Sequence, residues 1–382
     1  MGRMIYLDNA ATTMMSKEAI DAMLPYFDTY YGNPSSIYEF GTISKEVLER
    51  GRRSISKMIN CKENEIYFTS GGTEADNFAI KQVCEACKRQ KKHIITTKIE
   101  HHAVLHSCMA MERNGVQVTY VDVDSRGRVK LNELENAITN DTILISVMHA
   151  NNEIGTVEPL ERVGGIAKKY GIIFHTDAVQ SFCHIPIDVR HFNVDILSAS
   201  SHKFGGPKGV GFMYVREGLK LNPFMDGGSQ EMGLRAGTGN AAGIAGMTAA
   251  AQKSYDNMRK NIRYETRLRD YMIGRLVREI PGVSLNGHPS YRLPNNINIS
   301  ISGIDGGVLM VMLDLEGICV STGSACTQSH TSPSHVLLAI GLDERQAGSS
   351  VRITLSEKNT AEEINRTVDI IKREVAKLRE KA

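Results

Sequence analysis

The sequence predicts an α/β fold: a large domain built on a mostly parallel sheet, followed by a smaller α+β domain. Three observations carry this. Between about residues 65 and 215, short β-branched runs alternate with amphipathic stretches of helical length. Such alternation covers a parallel sheet with helices on both faces. After residue 240 it gives way to one long helical stretch, then to strands and helices in irregular order. Finally, 382 residues with no internal repeat, low-complexity tract or flexible linker suffice for two cores.

The strand candidates of the large domain are residues 65–69, 93–97, 117–121, 143–148, 172–176, 195–199 and 211–215. Helices are expected over 74–88, 103–114, 131–138 and 160–170. Residues 241–279 read as long helical sequence, broken near Gly274 and ended by Pro281-Gly282. A strand at 296–300, a helix at 308–316, a loop holding Cys326, a strand at 351–355 and a final helix from Thr360 complete the chain. The expected large domain is therefore 15–256, and the small one is 257–382 joined by 1–14.

Composition narrows the function. With 41% hydrophobic and 23% charged residues the chain is an ordinary globular protein. Its 45 basic and 43 acidic residues leave a net charge of +2, so direct nucleic-acid binding is not expected. The densest basic run, Lys88, Arg89, Lys91 and Lys92, sits where a helix should end and complements its dipole. Met1-Gly2-Arg3-Met4-Ile5-Tyr6 has no signal-peptide pattern, and no apolar run reaches membrane-spanning length. A cytoplasmic location follows, with the seven cysteines reduced. Cys84 and Cys87 form a CxxC without a second ligand pair, so no metal site is expected.

Four segments carry chemistry. Thr69-Ser70-Gly71-Gly72-Thr73-Glu74 joins a strand to a helix. Glycines there admit an anion to the first-turn N–H groups, or simply make the turn. It is neither a Walker loop nor GxGxxG. Ser198-Ala199-Ser200-Ser201-His202-Lys203 precedes a glycine-rich turn and gathers hydroxyl and imidazole donors around an amine able to form a Schiff base. His175-Thr176-Asp177-Ala178-Val179-Gln180 ends an apolar strand. Its carboxylate can face a ligand crevice and hold a pyridine nitrogen protonated, or can cap a helix. Around Cys326, eight Ser, Thr and Gly neighbours suit an exposed nucleophile better than a buried thiol.

Taken with Tyr6-Leu7-Asp8-Asn9-Ala10-Ala11-Thr12-Thr13, Gly32-Asn33-Pro34-Ser35-Ser36, Glu100-His101, Asn151-Asn152-Glu153-Ile154-Gly155, Arg235-Ala236-Gly237-Thr238 and Ser324-Ala325-Cys326, these segments form an ordered set. The chain resembles, nearly end to end, a cysteine desulfurase of the NifS/IscS type, group I of the class V aminotransferase-like enzymes. The resemblance implies the aspartate aminotransferase-like fold type I of pyridoxal 5'-phosphate enzymes, with the cofactor in the large domain and the cysteine loop in the small one. It implies conversion of L-cysteine to L-alanine, with sulfur passing to Cys326 as a persulfide. From there it would go to an acceptor protein serving iron–sulfur cluster, thio-cofactor or tRNA thiolation chemistry. A selenocysteine lyase, an aminotransferase with an incidental Cys326, and a non-catalytic scaffold are the competing readings.

Residue by residue, the resemblance makes Lys203 the cofactor lysine, and His101 the ring-stacking residue and proton shuttle. Asp177 becomes the partner of the ring nitrogen. Asn152 and Gln180 address the phenolic oxygen, while Gly72, Thr73, Ser200 and His202 hold the phosphate. Thr238 reaches the phosphate of a second subunit, which implies a homodimer. Arg352 grips the substrate carboxylate, with Asn152 near the substrate. The chain departs from the family pattern at Tyr38, usually histidine, at Gln328 to Ser332, commonly Ser-x-x-Leu-Glu, and at Ser356, usually glycine. The loop departure bears on which acceptor is preferred.

Overall fold

The computed structural model describes residues 4–322 and 333–380. Cys326 and the stretch from Gln328 to Ser332 lie outside the described residues. In chain order the strands are β1 (Ile5–Tyr6), β2 (Ile66–Thr69), β3 (His93–Thr97), β4 (Gln117–Val121), β5 (Thr142–Ser146), β6 (Ile173–Asp177), β7 (Ile196–Ser200), β8 (Gly211–Val215), β9 (Val283–Leu285), β10 (Asn296–Ile301), β11 (Ile318–Cys319) and β12 (Ser350–Thr354). The helices are α1 (Lys17–Met23), α2 (Pro25–Asp28), α3 (Glu39–Ile59), α4 (Gly72–Ala86), α5 (His102–Arg113), α6 (Leu131–Asn136), α7 (Leu160–Tyr170), α8 (Ala241–Glu279), α9 (Gly306–Leu315), α10 (His335–Ala339), α11 (Glu344–Gly348) and α12 (Ala361–Glu380).

The large sheet runs β2-β8-β7-β6-β5-β3-β4. Strands β3, β5, β7 and β8 are buried at every position, as strands covered on both faces must be. β8 is antiparallel to both β2 and β7, whereas the pairs from β7 across to β4 are parallel. Two reversals restore direction. β2 therefore runs with β6 and β7, and its loop into α4 opens on the same sheet edge as the ends of those strands. That edge is where an open α/β sheet binds ligands.

A second sheet, β12-β10-β9, is antiparallel, and β1 pairs in parallel with β11. Around it a separate apolar cluster gathers Ile5, Leu7, Leu268, Met272, Ile299, Ile353, Val368 and Ile371. The main cluster holds Ile55, Phe174, Leu197, Phe212, Met247 and Ala251. Helix α8 feeds both, with Met247 and Ala251 at one end and Met272 and Leu276 at the other. The break expected at Gly274 does not occur. A Cβ there would meet nothing within 4 Å, so this glycine costs the helix only about 1 kcal/mol against alanine. The buried Leu268, Met272 and Leu276 on either side carry the helix through.

Candidate active site

Lys203 stands at the end of a 3₁₀ turn, Ser201–Lys203, that follows β7 directly. The glycines after it are required by close approach: a Cβ on Gly206 would fall 2.0 Å from the Ser201 hydroxyl. The amine donates to the backbone carbonyls of Ala10 at 2.6 Å and Ala11 at 2.9 Å. His184 Nε2 lies 3.0 Å from the Lys203 carbonyl and steadies the turn. Thus the N-terminal segment, remote in sequence, orients the amine.

Asp177 is the last residue of β6 and is buried. Its Oδ1 accepts from the Val179 N–H at 2.8 Å, a local turn in place of a helix cap. Burial pushes its carboxyl up to about 6, opposed by that hydrogen bond and by the charge of Lys203. His101 caps α5 and accepts the Ala103 N–H on Nδ1 at 3.1 Å. Burial, then the neighbouring Lys203 charge, pushes its imidazole down to about 4, so it is neutral at pH 7. Ligand atoms of Asp177, His101 and Asp76 lie within 4.8 Å of one another.

The turn before α4 forms a cradle. Gly71 takes φ +152°, a conformation that favours glycine, and a Cβ there would meet the Ser200 hydroxyl at 3.5 Å. A Cβ on Gly72 would meet Val179 at 2.5 Å, so the helix start can sit this close to the end of β6 only as glycine. Thr73 is exposed in the first turn. His202 sits beside Thr12, its Nδ1 3.1 Å from Thr12 Oγ1. Burial and the charges of Lys203 and Lys208 push its imidazole down to about 4. Glu74 braces the turn from behind: it accepts from the Ser70 N–H at 2.8 Å and from Arg235 Nε at 2.9 Å. Thr238, three residues beyond Arg235, is exposed.

On the small-sheet side, the Arg352 side chain is buried on β12. It donates from Nη2 to Asp8 Oδ1 at 2.9 Å and from Nη1 to the Asn152 carbonyl at 3.1 Å. Its Nε is buried and has no acceptor among the described residues. Gln180 donates to the Ala10 carbonyl at 3.0 Å. The adjacent Glu153 is buried and accepts from Ser334 Oγ at 2.5 Å. Sequence reasoning gave no role to Asp8, Asp76, Glu100 or Glu153. Asp8, Glu100 and Glu153 stood inside quoted motifs, and Asp76, two residues past Glu74, was an acid in a helix otherwise facing the sheet.

Residues 5–367 match the aminotransferase class-V family. The chain belongs to that family. Its curated relatives include a cysteine desulfurase IscS of Dictyoglomus turgidum, 51% identical over 379 residues that cover 99% of this chain and 96% of the relative. A solved NifS-like protein superposes with a TM-score of 0.92 at 37% identity, covering 98% of this chain and 100% of the other. SspA in complex with cysteine gives 0.84 at 34% identity, over 93% and 100% of the two chains. The fold is accordingly that of the class-V enzymes, and their cofactor is pyridoxal 5'-phosphate.

The residues present fit that cofactor. The helix start, with the Thr73 and Ser200 hydroxyls and the His202 imidazole, offers donors to a phosphate. Asp177 offers a buried carboxylate to a protonated ring nitrogen, and Lys203 an amine from the turn that follows β7.

Proposed function

We propose that this enzyme is a cysteine desulfurase that moves sulfur from L-cysteine to Cys326 and releases L-alanine. The observation that carries the reading is the convergence of Lys203, Asp177 and His101 on one sheet edge beside a glycine-built anion cradle. Pyridoxal 5'-phosphate, when bound, supplies an aldehyde that condenses with amines and a protonated ring that draws electrons from the carbon bearing the amino group. Lys203 provides the amine that anchors the cofactor and then moves the proton at the substrate Cα. Asp177 keeps the ring nitrogen protonated. Gly72, Thr73, Ser200 and His202 hold the phosphate, and Asn152 and Gln180 flank the ring oxygen.

His101, neutral at pH 7 because of its burial, can accept the proton of the substrate thiol. Arg352 presents its guanidinium to the substrate carboxylate, steadied by Asp8 and by the Asn152 carbonyl. The thiolate of Cys326 attacks the substrate sulfur. An S–S bond forms as the Cβ–S bond breaks, and the electron pair of that bond stays with carbon and takes up a proton. Cysteine and enzyme thiol thus become alanine and enzyme persulfide, with no outside oxidant. A cytoplasmic location, where thiols stay reduced, suits a carrier of this kind. The acceptor of the persulfide is a protein of iron–sulfur, thio-cofactor or tRNA thiolation chemistry.

We read residues 15–256 as the cofactor domain and residues 1–14 with 257–382 as the domain of the cysteine loop. The active unit is a homodimer, in which Thr238 completes the cradle of the other subunit. Support comes from the exposure of Thr238 and of Phe27, Tyr31, Ile37, Tyr38 and Met232, large apolar side chains uncommon at a free surface. Comparison of wild type with Cys326→Ala tests the reading. The variant should be yellow, sediment as a two-chain particle and bind cysteine, yet make no alanine above background. Normal turnover by the variant would end the persulfide mechanism.

A further inference from the structure

Asp76 occupies an unusual place for an acid. It lies in α4 on the side facing the large sheet, and only 1% of its surface is exposed. Its neighbours on the helix, Ala75, Phe78, Ala79 and Ile80, are buried apolar side chains. A helical aspartate usually earns its position by capping a helix start or by facing water, and this one does neither. Among the described residues its Oδ1 has no hydrogen-bond partner.

The groups that face it come from every element around it. Asp177 and His175 lie on β6, Ser198 on β7, Glu100 in the link before α5, and His101 at the cap of α5. None of these supplies a cation at neutral pH. His175 has both ring nitrogens engaged, with Ser146 at 2.8 Å and Ser198 at 3.0 Å, and is neutral, its imidazole pushed down to about 3 by complete burial. It approaches Asp76 Oδ1 only to 3.6 Å. Glu100 is pushed up to about 8 by burial, and Asp76 is pushed well above the ordinary carboxylate range, by burial and then by the charge of Asp177, against a side-chain contact from Ser198. Two buried carboxyl groups this close cannot both ionise. Asp177 is opposed by the charge of Lys203 and receives a backbone N–H, so it is the member that ionises.

We propose that Asp76 is a positioning residue for the cofactor: a buried carboxyl on the sheet-facing side of α4, within 4.8 Å of the Asp177 carboxylate, that fixes where Asp177 stands under the ring nitrogen and leaves Asp177 as the charged member of the pair. The helix start that receives the phosphate and the carboxylate that receives the ring nitrogen are thereby tied together, since Asp76 lies four residues beyond Gly72 on the same helix. The inference rests on the cofactor reading above and adds a residue to it.

Dissociation of pyridoxal 5'-phosphate from wild type, Asp76→Asn and Asp76→Leu, followed by absorbance between pH 5 and 9, tests this. A neutral amide replaces a neutral acid in Asp76→Asn, so affinity should stay within about threefold and the pH midpoint of binding should not move. Asp76→Leu should bind the cofactor at least tenfold more weakly and shift its absorption band. A midpoint lowered by one unit or more in Asp76→Asn would mean that Asp76 carries a charge, and the proposal falls. It falls equally if Asp76→Leu melts as wild type does and binds the cofactor with an unchanged band. Should Asp76→Leu fail to fold, the Asp76→Asn titration decides alone. Wild type that binds no cofactor at all would sink the cofactor reading rather than the role of Asp76.

Discussion

The two sides of the site handle charge by opposite means. On the large-sheet side, burial sets the protonation states: His101 and His175 are driven neutral, Asp76 and Glu100 are driven neutral, and Asp177 stays close to its titration range. On the small-sheet side, the Arg352 guanidinium is instead held by contacts of its two Nη atoms, with Asp8 and the Asn152 carbonyl, while its Nε has no acceptor among the described residues. The first side leaves a single negative charge, on Asp177, balanced by the Val179 N–H and the charge of Lys203. The second is a cation fixed in direction by partners that leave room for an anion. A cofactor ring and a substrate carboxylate demand these two kinds of surface.

The sharpest way to break the comparison is to neutralise Asp177. If that side depends on one negative charge, Asp177→Asn should lower kcat by about 10²- to 10³-fold, the scale of losing one preorganised electrostatic contact at a reacting centre. A loss below fivefold in the alanine assay would show that the charge does not matter. Arg352→Lys keeps the cation but not the fork, and should act mainly on binding: KM for cysteine rises about tenfold, with kcat less affected. An equal fall in kcat and kcat/KM would mean that Arg352 acts on the transition state instead.

The smallest effects concern stability against pH, and here the sides differ in sign. His149, beside the large-sheet site, is fully buried and pushed down to about 4. Its folded value lies below the ordinary one, so the unfolded chain takes up the proton first. Its contribution is present above about pH 6.5 and is lost as pH falls toward 4, on the order of 3 kcal/mol at most. Glu153, beside Arg352, is pushed up to about 7 by burial. Its contribution is full below about pH 4.5 and is lost as pH rises through 7. In thermal melts, His149→Gln should flatten the acid limb and Glu153→Gln the neutral one. A variant whose limb follows that of wild type would remove its residue from this account.

Much of the site was legible because its chemistry sits in short, ordered motifs. Lys203 had hydroxyls, an imidazole and glycines in its own segment, and Asp177 ended an apolar strand, so residue type and strand position together named them. Bounds of strands such as His93–Thr97 and Gln117–Val121 followed from their β-branched runs between polar turns. The break at Gly274 was misread because a local helix-breaking tendency of about 1 kcal/mol is outweighed by burial of Leu268, Met272 and Leu276 along the same face. Asp76 was passed over for the opposite reason. An acid within a helix looks solvated until the packing of α4 on β6 and β7 is known.

By itself, then, the sequence determined the class of fold and the family and named the candidate residues for the chemistry, because those depend on residue type and spacing. Only the tertiary structure decided their electrical state and their company. Residues 8 to 12 became a seam that meets Arg352 through Asp8, Lys203 and Gln180 through Ala10, and His202 through Thr12. Burial made His101 neutral and raised Asp177. Both effects depend on which distant segments exclude water from a group, and no local pattern of residues encodes that.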